Sequence, residues 1–109
     1  MAKRLWFDEV RELGFAAIVA GYTAIGDAFE HPARMILLQN HCDGDIWISF
    51  DGVTDHLPLA ANGYLILDIT ANKLHISDFF MAVGTTVYAK RKDIPTAGSM
   101  YVSVMYSTK

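Results

Sequence analysis

The sequence predicts an all-β protein, an antiparallel β-sandwich or jelly-roll of about seven strands. Three observations support this class. The chain has 109 residues, the size of one domain. From residue 15 onward, short segments rich in β-branched and aromatic residues follow one another to the C-terminus. Turn-forming pairs, Asp51-Gly52 and Asn62-Gly63, separate several of these segments.

The chain divides into an N-terminal segment, residues 1–14, and a β-sandwich domain, residues 15–109. In the N-terminal segment, Leu5, Glu9, Val10 and Leu13 recur at mixed helical spacing, and Gly14 stands where a helix could end. An extended arm fits the same residues equally well. The segment is therefore predicted as an N-terminal arm or a short helix.

The first strands of the domain come from segments of different character. Residues 15–25, rich in Ala, Ile, Val, Tyr and Thr, predict one or two strands. Pro32 then bars a helix. Met35–Leu38 is a short continuous apolar run, which is typical of a strand covered on both faces.

Residues 45–50 alternate most clearly and predict a half-buried strand. One face takes Ile46, Ile48 and Phe50, and the other takes Asp45, Trp47 and Ser49. With residues 53–59 and 64–70, this strand forms a predicted antiparallel meander, because turn pairs join the three. Pro58 makes the middle member an edge strand or an irregular one. The third member carries Leu65, Leu67 and Ile69 on one face.

The C-terminal part predicts a short strand at 74–76, an apolar stretch at 79–83, a strand at 85–90, a loop at 94–99 and a last strand at 100–107. Two of these segments alternate. Val87 and Ala89 lie opposite Tyr88 and Lys90, and Met100, Val102, Val104 and Tyr106 lie opposite Tyr101, Ser103, Met105 and Ser107.

Composition excludes several classes of function. Charged residues make up 19% of the chain, below the usual quarter or so, and hydrophobic residues 52%, so some apolar surface is expected to meet a partner. A net charge of −3 provides no basic field for nucleic acid. Cys42 is the single cysteine, which excludes an internal disulfide. No stretch approaches a membrane span, and acidic residues after Arg4 interrupt any signal-peptide core.

Acidic and histidine residues cluster between His41 and His56, and they are the most tempting chemistry in the chain. The spacing lacks the oxygen ligands and closing Glu of a calcium loop, and Asp is favoured in turns, so structural turns are predicted instead of a metal site. Cys42 and His41, as sequence neighbours on a strand, would point to opposite faces. No nucleophile elbow, phosphate loop or zinc-protease motif is present. We therefore predict no catalytic residue, no metal and no cofactor.

Four side chains are candidates for an interface with a partner. Alternation places Trp47 on the outer face of its strand, where tryptophan often anchors a contact. Tyr101 and Met105 point outward from the last strand by the same logic. Trp6 is the remaining large aromatic of this group. For Trp47, coverage by another part of the chain is the equally good alternative.

The order of motifs along the chain is similar to that of a known family. It extends from about Arg11 to the C-terminus and comprises three runs: GYTAIG, then ARMILLQNHCDGDIWISFDGVTDHLPLAANGYLILDITANK, then GTTVYAKRKDIPTAGSMYVSVMYS. The most telling pieces are Ile48 to Gly52, Asp68 to Lys73, and Gly84-Thr85 leading into Tyr88 to Lys90. In this order the chain resembles small virion structural proteins of tailed bacteriophages.

The resemblance implies a non-enzymatic structural component of the virion, assembled in the bacterial host cytoplasm. A capsid decoration or cement protein is the first expectation, and a head-tail connector protein the second. The implied partners are major capsid or portal/connector proteins, with a homo-oligomer expected and no nucleic acid or membrane. Residues 1–14 could be the arm of a decoration protein.

Two other classes stay open. One is a carbohydrate-binding β-sandwich module in which Trp6, Trp47 or Tyr101 would stack on a sugar ring. The weaker one is a metal-dependent hydrolase using the region from His41 to His56.

Overall fold

The computed structural model describes residues 5–68 and 83–107, which form a β-sandwich of nine strands with one short 3-10 helix. This confirms the all-β class. The strands are β1 Leu5–Phe7, β2 Arg11–Gly14, β3 Thr23–Ala24, β4 Ala33–Asn40, β5 Ile46–Ser49, β6 Leu57–Leu59, β7 Tyr64–Asp68, β8 Tyr88–Arg91 and β9 Ser99–Ser107, and the helix is Phe15–Ala17. Over these residues, no helix has the length and apolar character needed to cross a membrane.

The strands form two antiparallel sheets. The five-stranded sheet has the order β1-β9-β4-β7, with β2 pairing a different stretch of β9, and the four-stranded sheet has the order β3-β8-β5-β6. The edge position predicted for Pro58 is confirmed, since β6 ends the four-stranded sheet. Strand β9, nine residues long, pairs with β1, β2 and β4.

The core lies between the sheets and follows the period-two pattern of the strands. The five-stranded sheet contributes Ile36, Leu38, Met100, Val102 and Val104, and the four-stranded sheet contributes Ile46, Ile48 and Ala89, with Val87 just before β8. The alternation predicted for the segments around β8 and β9 is thereby confirmed.

Asn40 is a buried polar side chain at the end of β4, and both the nitrogen and the oxygen of its amide are hydrogen-bonded. Its Nδ2 donates to the carbonyls of Gly44 (3.0 Å) and Leu59 (3.1 Å), and its Oδ1 accepts from the backbone N–H of Cys42 (2.9 Å). Because a buried amide without partners is destabilising, these bonds fix the turn after β4 against β6.

The N-terminal segment is extended, so the short-helix alternative is wrong for residues 5–14. Strand β2 pairs with residues 99–102, which places Leu13 opposite Met100 and against the core. Strand β1 pairs with residues 105–107. These ladder bonds satisfy the backbone without a helix. That residues 1–14 act as an arm separate from the domain stays a prediction.

The predicted meander is wrong. Strands β5 and β6 pair as a hairpin, but β7 pairs with β4 in the other sheet. Asn62, with φ of 59°, forms the turn at which the chain changes sheet, and the Asn40 N–H donates to the Gly63 carbonyl at 2.8 Å. Local turn chemistry does not determine which sheet the next strand joins.

Other predicted boundaries also shift. Of the one or two strands predicted over residues 15–25, the structure forms one, β3, after the 3-10 helix and a loop, and residues 53–56 are a loop. Ile69, the predicted strand at 74–76 and most of the apolar stretch at 79–83 lie outside the described residues.

Candidate interaction surface

The outer face of the five-stranded sheet brings apolar side chains from four strands together. The register sets three rows across the sheet: Phe7, Met105 and Met35; then Ser103, Leu37 and Ile66; then Tyr101, Gln39 and Tyr64. We call these nine side chains the apolar face. None of them carries a formal charge, so the sheet presents an uncharged surface about three side chains wide.

Several of these side chains are well exposed. Phe7 is 72% exposed, Ile66 52% and Tyr64 69%, while Met35, Leu37 and Met105 are half-buried. A groove of about 240 Å³ runs between Phe7, Leu37 and Ile66. Contiguous apolar surface of this kind is characteristic of contact sites.

Strand β4 shows why this face is unusual. Its continuous apolar run predicts burial on both faces, yet only Ile36 and Leu38, on the inner face, are buried. Met35 and Leu37 lie on the outer face and are half-buried, so coverage on both faces is not achieved within one copy of the described chain. The sequence of β4 fits a strand that a partner covers.

Carboxylates lie at diagonally opposite ends of the apolar face. Asp68 is registered opposite Met35, and Glu12 opposite Tyr101. His41 approaches the Tyr101 ring edge-on, with centroids 5.4 Å apart. The rim of the surface is therefore polar and its centre is not, as at protein interfaces.

The outer side of the four-stranded sheet has a different chemistry. The Tyr22 hydroxyl donates to the Asp55 carboxylate, and Lys90 Nζ lies 2.9 Å from Asp55 Oδ1 and 4.8 Å from the centre of the Tyr22 ring. Partial burial and the bond to Asp55 raise the pKa of Tyr22, and the bonds from Tyr22 and Lys90 lower the pKa of Asp55. These groups partner one another.

Trp47 belongs to this second surface. It is half-buried, and Lys92 Nζ lies over its ring at 5.4 Å from the centroid. A sugar stacking on Trp47 would have to share the ring with this ammonium group. Ser49, two residues further along β5, was predicted to point outward but is buried. The loop after β5 folds back, so that the Ser49 hydroxyl donates to the Asp51 carboxylate and accepts from the Gly52 N–H.

The structure thus separates the four predicted interface residues. Tyr101 and Met105 lie on the apolar face, Trp47 lies on the opposite sheet, and Trp6, 42% exposed, pairs with Tyr106 on the side of β1 opposite to Phe7. Phe7 and Ile66 also lie on the apolar face and were not among the predicted interface residues. Because Ile66 alternates with Leu65 and Leu67, its outward position on the strand could have been predicted. The outward position of Phe7 could not, because its strand was not predicted.

Asp51 acts in a turn, as predicted for the acidic residues between His41 and His56, whereas Asp43 and Asp55 bond residues of other segments. Asp51 Oδ1 accepts from the N–H groups of Val53 and Thr54, both at 2.8 Å, and these bonds hold the pKa of Asp51 well below its usual range. Asp43 accepts from Thr96, which lowers its pKa in the same way. Burial raises the pKa of the Cys42 thiol. Among the described residues, no group of three or more His, Cys, Asp or Glu could hold a metal ion.

Arg11 holds the N-terminal strands against the rest of the domain. Its Nε donates to the Asp27 carbonyl (2.8 Å), its NH2 group bonds Asp8 (3.1 Å), and its guanidinium lies 5.2 Å from the centre of the Phe29 ring. Burial alone would raise the pKa of Asp8, but the bonds from the Glu9 N–H and from Arg11 outweigh it and lower that pKa. These contacts fix the segment that carries Phe7.

Comparison with solved structures shows what this fold resembles. A chain of the acidic stable capsid structure of Helicobacter pylori bacteriophage KHP30 matches with a TM-score of 0.53 and 13% identity, over 98% of this chain and 94% of that one. The SPP1 Dit protein, a hub adsorption apparatus protein of phages infecting Gram-positive bacteria, matches at 0.42 and 10% identity, over 96% of this chain and 49% of that one. No protein-family model and no curated protein matches the sequence.

At these identities the likeness is one of fold. A chain of a phage capsid structure has a similar fold at nearly the same length, which agrees with the β-sandwich predicted from the strand pattern.

Proposed function

We propose that this protein is a non-enzymatic structural component of a tailed-phage virion, most specifically a decoration or cement protein that stabilises the capsid through contacts between subunits. The observation that carries the proposal is the apolar face, an exposed and uncharged sheet surface centred on Leu37. A protein that works by contact needs such a surface, and in many copies even weak contacts hold by avidity. The full-length fold match to a chain of a phage capsid structure supports the same function.

Binding to empty shells of the encoding phage tests this proposal. We expect the purified protein to co-sediment with shells at a fixed number of copies and to raise their temperature of disruption. Binding to isolated portal rings instead would favour the head-tail connector. Failure to bind either particle would refute a virion role.

Two variants examine the predicted interface residues separately. Met105→Asp alters the apolar face, and Trp47→Ala alters the other sheet. If either surface contacts the shell, its variant should bind at least about tenfold more weakly, since a hot-spot residue contributes 2 kcal/mol or more. Unchanged shell binding by Trp47→Ala would remove Trp47 from the interface.

Carbohydrate binding is the competing function, and Trp47 is its natural platform. A glycan array with Trp47→Ala as control distinguishes the two. Binding of a glycan by the parent protein, lost in the variant, would favour the sugar-binding module.

A further inference from the structure

We infer that the partner of the apolar face is a second copy of this chain, packed face to face about a two-fold axis. The inference rests on the proposed function, because a component present in many copies must make contacts with its neighbours. It goes further by naming the partner of the apolar face: copies joined through this face bind the shell together, so Met105→Asp weakens shell binding through loss of avidity.

The area of the face suits an identical partner. Each side chain on one face of a sheet occupies about 4.8 Å across the strands and about 6.8 Å along them, so the nine side chains of the apolar face cover roughly 300 Å² of flat sheet. Phe7 and Tyr64, 72% and 69% exposed, project from it, and because a large aromatic side chain carries about 150–250 Å², these two alone expose roughly 200–350 Å². With Ile66 and the half-buried side chains, the accessible area approaches roughly 600 Å² for each partner, where stable interfaces begin. A sheet face of the same size and flatness covers the whole surface, and packed sheets of this kind are a standard arrangement.

The charges of the face also suit an identical partner. The centre holds no charged side chain, so pairing buries no unpaired ion. An axis parallel to the strands places Met105 of one copy over Met35 of the other, and an axis perpendicular to them places Leu37 over its counterpart. Neither arrangement brings Asp68 onto Glu12, because the two carboxylates lie at diagonally opposite ends.

Strand β4 supplies the third observation. The outer side chains Met35 and Leu37 are half-buried in one copy, although the run from Met35 to Leu38 is apolar throughout. Pairing of two faces would bury these side chains and Ile66 together. A strand that is apolar on both faces is then covered on both faces.

Sedimentation velocity of the full chain, from about 1 to about 100 μM, tests the inference. We expect a two-copy species in the upper part of this range. Ile66→Lys and Phe7→Lys, which place a charge at exposed positions of the face, should weaken self-association at least about tenfold. Val53→Lys is the matched control, because Val53 is 81% exposed in a loop away from the face, and it should behave as the parent.

A parent protein that stays single at about 100 μM, a species of another size, or equal effects of Ile66→Lys and Val53→Lys would overturn the inference. Far-UV circular dichroism confirms that each variant is folded, and Phe7→Lys provides a second site if Ile66→Lys is not. Shell co-sedimentation separates the two claims. A single-copy protein that binds shells would refute the two-fold contact alone, and a two-copy protein that ignores virion particles would refute the proposed function alone.

Discussion

The outer surfaces of the two sheets differ in how their side chains interact with one another. On the four-stranded side, aromatic and charged groups partner one another, as Tyr22, Asp55 and Lys90 do, and Lys92 lies over Trp47. On the five-stranded side, Phe7 and Ile66 project from a surface that has an uncharged centre and carboxylates only at its rim. The first surface is completed by its own side chains, whereas the second has apolar area that a partner can still bury. Because of this difference, we propose the second surface as the site of contact.

The largest expected effect comes from neighbouring residues of β4 that point to opposite faces. Ile36→Ala should lower the free energy of unfolding by about 2–5 kcal/mol, because Ile36 is fully buried between the sheets. Leu37→Ala should lower it by about 1 kcal/mol or less, because Leu37 is half-buried. Urea unfolding at low protein concentration measures both. Equal losses would mean that one copy already covers its outer face, and the comparison between the two surfaces would fail.

The next effect concerns the attachment of β1, which carries Phe7 to the apolar face. Arg11→Ala should lower stability by about 2–3 kcal/mol, because it removes bonds to Asp8 and to the Asp27 carbonyl together with packing on Phe29. Arg11→Met keeps the packing and should lose less. Hydrogen exchange at residues 5–7, alongside urea unfolding, is the measurement. An Arg11→Ala variant with unchanged exchange there would show that β9 alone holds the strand.

A smaller effect is expected on the four-stranded surface. Lys92→Met should lower stability by about 0.5–1 kcal/mol, the magnitude of an exposed cation–π contact, and should change the fluorescence of Trp47.

Lys90→Met should lower the melting temperature slightly at low salt, because the partner of Lys90 is an exposed carboxylate. At about 1 M salt the melting temperatures of the variant and the parent should differ little, because salt screens this pair. Large losses in either variant would mean that this surface contributes more to the fold than its exposure indicates.

The same contrast explains what the sequence could predict. Alternation identified the inner faces of β8 and β9, because burial between two sheets imposes a period of two. It also placed Tyr101 and Met105 outward. It could not identify the apolar face as a whole, since that surface depends on β7 leaving β5 and β6 for the other sheet and on β1 joining β9. Such pairings are long-range, and neither the turn at Asn62 nor the residues of β1 encode them locally.

The smallest expected effect is acid sensitivity at the loop that borders the four-stranded surface. Asp51 accepts two backbone N–H bonds, so its pKa in the folded protein lies below the ordinary value of 3.8. The stability that Asp51 contributes is therefore complete above that ordinary value and is lost as the pH falls from there through the folded pKa. Asp51→Asn retains the bonds to Val53 and Thr54 without a titrating group, so its melting temperature should fall less than that of the parent between about pH 5 and about pH 3. Parallel curves for the two proteins would show that Asp51 adds nothing to acid unfolding. The remaining carboxyls with a lowered pKa, Asp8, Asp43 and Asp55, would then be the candidates for its source.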